Sequence, residues 1–132
     1  MANTLYNKAR ESFLSGGISW SGDTIKAVLV DTGTYTFSQS HQFLSSLSGT
    51  VGTAATLGTK TVTDGVADAA DVTYTAVSGA SVEAIVIYKD TGVAGTSPLI
   101  AYIDTATNLP VTPNGGDISI TWDSGANKIF KL

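Results

Sequence analysis

Two copies of the triplet Asp-Thr-Gly, at residues 31–33 and 90–92, are the clearest candidates for chemistry in this sequence. Aspartic proteases depend on paired aspartates that share a proton and activate a water molecule. The first copy follows an apolar run at 28–30, which suits such a site, whereas the second follows Tyr88 and Lys89. Asp, Thr and Gly are also ordinary residues of the turn that ends a strand. We interpret both copies as turns, because a polar approach and a short chain do not fit a protease.

Three carboxylates, Asp64, Asp68 and Asp71, lie close together along the chain. Calcium takes several oxygen ligands, so this acidic segment is a candidate calcium site. The spacing does not match an EF-hand loop, and a turn with solvated aspartates explains the same residues. The sequence favours the solvated turn and leaves calcium binding open.

The histidine and the two tryptophans are the remaining candidates for a site. His41 is the only histidine, which excludes a metal site built from several histidines. We interpret it as a polar residue that opens a turn over 41–47, although catalytic triads assemble in space and escape a test by spacing. Trp122 alternates with polar residues and is predicted to be buried, whereas Trp20, between two serines, is a candidate exposed contact or sugar-stacking platform. We assign no catalytic, cofactor-binding or metal-binding residue.

The composition predicts a mainly β protein. Ser and Thr contribute 33 of the 132 residues, Gly contributes 14, and 42% of the chain is apolar. This length predicts a single domain over 1–132 that buries a core without disulfides, and the chain has no cysteine. A net charge of −4 gives no basic footprint for nucleic acid. We find no secretory signal and no apolar run of membrane-spanning length, so neither nucleic acid nor a membrane is an expected partner.

One helix is predicted, over residues 3–15, with Asn3 or Thr4 as its cap. Four apolar side chains recur at helical spacing on one face: Leu5, Tyr6, Ala9 and Phe13. Gly16 and Gly17 end the helix, because glycine adopts the left-handed conformation without steric cost. The helix either packs on its own domain or docks on a neighbouring subunit.

The rest of the chain, 24–132, is predicted to form an antiparallel β-sandwich of the jelly-roll type. Seven segments have strand patterns separated by turn signals: 24–30, 60–63, 72–77, 82–89, 99–104, 117–122 and 128–132. A Gly-, Thr- and Ala-rich stretch over 48–58 predicts an exposed, mobile loop. No long helix separates the strands, which excludes βαβ units.

Three of these strands, at 25–30, 82–88 and 99–103, are apolar on both faces. A sandwich standing alone exposes its outer faces to water and shows polar alternation there. These strands must therefore be covered, by the predicted helix in part and by a subunit interface over the remaining area.

Seven segments also carry a resemblance to a known family, among them AIVIYKDTG at 84–92 and the end NKIFKL: they are 3–9, 24–31, 41–45, 60–66, 84–92, 97–104 and 127–132. The chain resembles small virion structural proteins of tailed bacteriophages, most of all capsid cement or decoration proteins. This resemblance implies a non-enzymatic protein, made in the cytoplasm of the bacterial host, that binds the capsid surface of the virion. Its implied partners are the major capsid protein and further copies of itself.

The residues expected to contact partners come from the helix, from residue 20 and from the end of the chain: Leu5, Tyr6, Ala9, Phe13, Trp20, Ile129, Phe130 and Leu132. Two alternatives stay open. One is a tail, neck-adaptor or fibre-attachment component of the virion. The other is a small carbohydrate-binding β-sandwich.

Overall fold

The computed structural model describes residues 4–104, 106, 109–122, 125 and 128–131, and it is mainly β with one α-helix, α1 (Asn7–Ser15). The strands of this part of the chain are β1 (Thr4–Leu5), β2 (Ile25–Val30), β3 (Thr50–Thr56), β4 (Thr61–Thr63), β5 (Val66–Asp68), β6 (Val72–Tyr74), β7 (Ala84–Lys89), β8 (Leu99–Ile103), β9 (Ile118–Ile120) and β10 (Phe130–Lys131). They form antiparallel sheets in the orders β1-β8-β7-β2-β3, β10-β5-β4 and β6-β9. The predicted mainly β class with one helix is therefore confirmed.

The three strands that are apolar on both faces lie at the centre of the five-stranded sheet. Across this sheet Val28 pairs with Val86, which in turn pairs with Tyr102. Side chains on both faces of β2, β7 and β8 are buried within this one chain, apart from the charged Lys26 and Lys89 at their ends. Central strands of a covered sheet read as continuous apolar runs for this reason. The expectation that a subunit interface covers these strands is wrong, because the chain covers them itself.

The predicted start of the helix is wrong. Thr4 and Leu5 form β1 instead, opposite Tyr102 and Ala101 of β8, and Tyr6 precedes the helix without a side-chain cap. Pairing with β8 satisfies backbone groups that a first helical turn would leave unpaired. The predicted end is confirmed, since Gly16 adopts a φ of 84° and its N–H bonds to the last turn.

Two strands lie where turns or loops were predicted. The stretch expected to be a mobile loop contains β3, which pairs with β2 at the edge of the central sheet. Its side chains are small and mostly exposed, with only Val51 fully buried, so the apolar pattern of a strand is missing. The acidic segment likewise contains β5, which pairs with both β4 and β10. Backbone pairing with neighbouring strands decides these segments.

The C-terminal part of the described chain follows its sequence pattern. Ile118, Ile120 and Trp122 are buried while Ser119 and Thr121 between them are exposed, as the alternation predicts.

The segment 41–47, which was predicted to be a turn opened by His41, contains only a single 3₁₀ turn, Leu44–Ser46.

Candidate functional site

The two Asp-Thr-Gly triplets lie at opposite ends of the β2–β7 pair. Antiparallel pairing sets Val30 opposite Ala84 and Ile25 opposite Lys89, so the two aspartates that follow these strands are roughly 20 Å apart at about 3.3 Å per residue. Each Oδ1 accepts a hydrogen bond from the glycine of its own triplet, at 2.9 Å in the first and 3.0 Å in the second. The turn interpretation is confirmed, and the carboxylates cannot share a proton.

The second of these aspartates, Asp90, also ties two strands together. Its carboxylate lies 3.0 Å from the Lys26 ammonium. The N–H of Gly92 and then this ammonium hold the pKa of Asp90 below its ordinary value. At the same end of the sheet, the N–H of Ser19 and the Lys89 ammonium lower the pKa of Asp23 in the same way. These contacts fasten the ends of strands.

The three carboxylates of the acidic segment, Asp64, Asp68 and Asp71, do not come together at one site. The carboxylate of Asp71 accepts the backbone N–H of Trp122, and Asp64 lies in the turn between β4 and β5. No group of three or more His, Cys, Asp or Glu side chains with metal-site geometry occurs within the described residues. The three aspartates therefore act separately in this structure.

His41 takes part in a partly buried hydrogen-bond chain that spacing alone did not reveal. Its Nδ1 lies 2.7 Å from the Tyr35 hydroxyl, which lies 2.9 Å from the hydroxyl of Tyr6. Burial raises the pKa of both tyrosines. The ring of Tyr6 also contacts Phe37, which packs on Tyr102 of the central sheet. This chain of hydroxyls anchors the segment 35–41 on one face of that sheet.

An apolar region that includes two exposed side chains surrounds the C-terminal half of α1. We call it the apolar surface and define it by Phe13, Leu14, Trp20, Val62 and Phe130. Leu14 is 90% exposed and Val62 is 56% exposed. Large apolar side chains clustered in this way on a small protein are typical of a contact site.

Two grooves flank Phe13 on this surface. The first, of about 310 Å³, we call the tryptophan groove; it is lined by Phe13, Ser19, Trp20, Ser21, Val62, Gly65, Ala67 and Phe130. The second, of about 420 Å³, we call the helix groove; it is lined by Leu5, Arg10, Phe13, Leu14 and Lys131. Phe13 belongs to both grooves, so they form neighbouring parts of one surface.

Aromatic contacts between distant parts of the chain build this region. The ring of Phe130 lies 5.8 Å from that of Phe13 and 5.1 Å from that of Trp20, in an edge-to-face arrangement with the indole. Pairing of β10 with β5 holds Phe130 opposite Ala67. The indole N–H of Trp20 donates to the carbonyl of Asp68, 3.0 Å away, which fixes its ring. These contacts fix the aromatic rings that line the tryptophan groove.

Four of the predicted contact residues come together here, namely Leu5, Phe13, Trp20 and Phe130. Of these four only Phe13 is partly exposed, because Leu5, Trp20 and Phe130 are buried at 4%, 5% and 9% exposure. Three others, Tyr6, Ala9 and Ile129, are also buried in the core. Leu132 lies outside the described residues.

The expected exposure of Trp20 is wrong. Its side chain is only 5% exposed, because the indole packs against Phe130 and its N–H bonds to a backbone carbonyl. The indole contributes an edge to the tryptophan groove rather than a free ring.

The sequence reasoning missed Leu14 and Val62. Leu14 follows Phe13 directly and falls outside the apolar face of the helix, which is the one signal that marks it. Val62 stands between two threonines and resembles the buried position of an alternating strand.

Comparisons with known proteins add nothing to this geometry: no protein-family model matches the chain, and the search of curated proteins gave no match. No helix among the described residues is long and apolar enough to span a membrane.

Proposed function

We propose that this chain is a non-enzymatic structural protein of a bacteriophage virion that binds the capsid exterior and stabilises it, as a cement or decoration protein. In this proposal the partner is the major capsid protein, and copies of the chain associate with one another. The finer fold assignment, a sandwich of the jelly-roll type, belongs to the same proposal. The segment resemblance described above is its starting point.

The observation that carries the proposal is the exposed apolar surface around Phe13. The chain is acidic and rich in Ser and Thr, yet Leu14 stands 90% exposed beside two apolar grooves. When a partner covers exposed apolar area of this kind, the burial contributes about 25 cal/mol per Å² to the free energy of binding. Of the residues expected to contact partners, Phe13 is partly exposed here, whereas Leu5, Trp20 and Phe130 form the buried lining beneath it. A rigid adhesive surface is what a shell-binding protein requires.

Weak contacts suffice for such a role, because many copies bind one lattice. When neighbouring copies also touch, each further contact becomes intramolecular and the overall affinity exceeds that of one site. The covered central sheet and the hydroxyl chain from Tyr6 to His41 favour a rigid unit, which loses little entropy on binding.

The carbohydrate-binding alternative finds little support in the geometry. Sugar recognition of the proposed kind needs the open face of an aromatic ring, and Trp20 is 5% exposed. A tail or neck position uses the same adhesive surface and differs from a capsid position in copy number.

The deciding experiment is the number of copies per purified virion, measured by quantitative mass spectrometry against the major capsid protein. Copies in a simple ratio to that protein support decoration of the shell. A small ring's worth of copies overturns the capsid assignment in favour of the tail or neck, and absence from the virion overturns the structural role altogether. Capsids stripped of the protein should then disassemble at a lower temperature, and adding the protein back should restore their thermal stability.

A further inference from the structure

We propose that the helix groove, lined by Leu5, Arg10, Phe13, Leu14 and Lys131, binds an extended polypeptide segment that carries both apolar and acidic side chains. This inference rests on the proposed function, since it names the chemistry of the segment that a protein partner presents to the apolar surface. Two unpaired cations, an apolar lining and a bordering edge strand support it.

The distribution of basic side chains supports an acidic ligand. Seven Lys and Arg residues serve the whole chain, and five of them have interactions: Lys8 pairs with Glu11, Lys26 with Asp90 and Lys89 with Asp23, Lys60 donates to the Asp23 carbonyl, and Lys128 is also engaged.

Arg10 and Lys131 differ from these five. Within the described residues neither has an ion pair or a hydrogen-bond partner for its side chain, and both line the helix groove. On a protein with net charge −4, two unpaired cations on one small groove form a local site for a carboxylate.

Apolar side chains complete the requirement. Leu5, Phe13 and Leu14 provide the apolar part of the lining, and the volume of about 420 Å³ lies in the range of sites that hold small ligands. A ligand that carries charge alone would leave this lining exposed to water. A ligand that carries apolar groups alone would leave both cations without a partner. Apolar and acidic side chains in one segment satisfy both.

The strands that border the groove favour a polypeptide. Lys131 belongs to β10, which is the terminal strand of its sheet. The Leu5 carbonyl of β1 already accepts a hydrogen bond from the Gln39 side chain, so β10 is the edge at which a chain can be added. Edge strands offer backbone groups to an extended chain, whose alternate side chains then enter neighbouring pockets. An extended segment with alternating apolar and acidic residues supplies both kinds of side chain within the length of the groove.

The test uses three capped peptides in which leucine alternates with glutamate, glutamine or lysine. Each is titrated into the isotopically labelled full chain, and binding is followed by the amide shifts of Leu5, Phe13 and Leu14. The glutamate peptide is expected to bind about fivefold more tightly than the glutamine peptide at low salt, and the lysine peptide most weakly. Raised salt should remove the difference.

A pair of variants locates the effect. Arg10→Gln with Lys131→Gln should abolish the preference for glutamate, while Thr53→Glu with Thr56→Glu should keep it. The control changes the net charge by the same two units, on exposed positions of β3 at the opposite edge of the central sheet.

Three outcomes overturn the inference: equal affinity for the three peptides, shifts confined to other parts of the molecule, or binding of dodecanoate in the groove without binding of any peptide. None of them bears on the copy number in the virion. A chain present in capsid ratio that shows no preference for glutamate refutes the recognition chemistry alone, whereas a chain absent from virions refutes the proposed function.

Discussion

Replacing Leu14 by glutamine should separate binding from folding. The side chain is 90% exposed, so the folded protein gains almost nothing from it. Glutamine and leucine have similar helix propensities, so α1 should persist. We expect the free energy of unfolding of L14Q to lie within about 0.5 kcal/mol of that of the unsubstituted protein.

The effect on docking should be much larger. Burying a leucine side chain completely contributes about 1.5–3 kcal/mol, and nearly all of the Leu14 side chain is still available for burial by a partner. A loss of about 2 kcal/mol of binding free energy per copy raises the dissociation constant roughly 30-fold. Multivalent attachment to a capsid multiplies this loss over the copies that bind together.

The assay is co-sedimentation of purified protein with capsids that have been stripped of it, together with thermal unfolding of each variant alone. Val93→Gln provides the matched control. Val93 is 60% exposed and lines neither groove, so its substitution removes an exposed apolar side chain of similar size elsewhere. V93Q is expected to bind as the unsubstituted protein does.

Equal binding by L14Q and the unsubstituted protein would refute the reasoning, because the apolar surface would then contribute nothing to attachment. Equal losses in L14Q and V93Q would refute it as well, since the effect would follow general hydrophobicity instead of the surface around Phe13.

Three further predictions concern stability. Tyr35→Phe leaves the buried hydroxyl of Tyr6 without its partner and should lower the free energy of unfolding, measured by denaturant titration, by about 1–3 kcal/mol. Adding Tyr6→Phe should recover part of this loss, whereas full additivity of the two changes would contradict the prediction. Burial raises the pKa of all five tyrosines, so absorbance titration should show little phenolate near pH 10 in the folded protein. The free energy of unfolding should fall as the pH rises further, because the unfolded chain releases these protons more readily. Titration of the native tyrosines at their ordinary pKa would contradict this. Because the pKa of Asp90 is lowered in the folded protein, its carboxylate stabilises the fold above the ordinary pKa of 3.8, and this contribution is lost as the pH falls through the lowered pKa. Asp90→Asn should therefore flatten the acid side of a curve of unfolding free energy against pH. An unchanged curve would argue against the ion pair with Lys26.

Much of the fold was predictable because it follows from local pattern. The doubly apolar runs at β2, β7 and β8, the alternation before Trp122 and the glycine at position 16 each report a local preference of the backbone or a burial period. The Asp-Thr-Gly turns belong to the same class, since each aspartate bonds to an N–H two residues later.

The segments that were mispredicted depend on partners far along the chain. β1 and β3 are edge strands whose side chains carry little apolar signal, and they exist because β8 and β2 offer them hydrogen bonds. The burial of Trp20 likewise depends on the carbonyl of Asp68 and the ring of Phe130. No window along the sequence contains both members of these pairs.

The candidate site shows the same division. The sequence by itself determined that the chain is a mainly β protein with a helix, and it marked Phe13 and Phe130 as apolar residues near the two ends. Only the tertiary structure decided that these rings meet, that Leu14 stays outside the core, and that Arg10 and Lys131 share one groove. The physical reason is that exposure and charge pairing are properties of neighbours in space, and the contact between the rings of Phe13 and Phe130 joins residues that are more than a hundred positions apart.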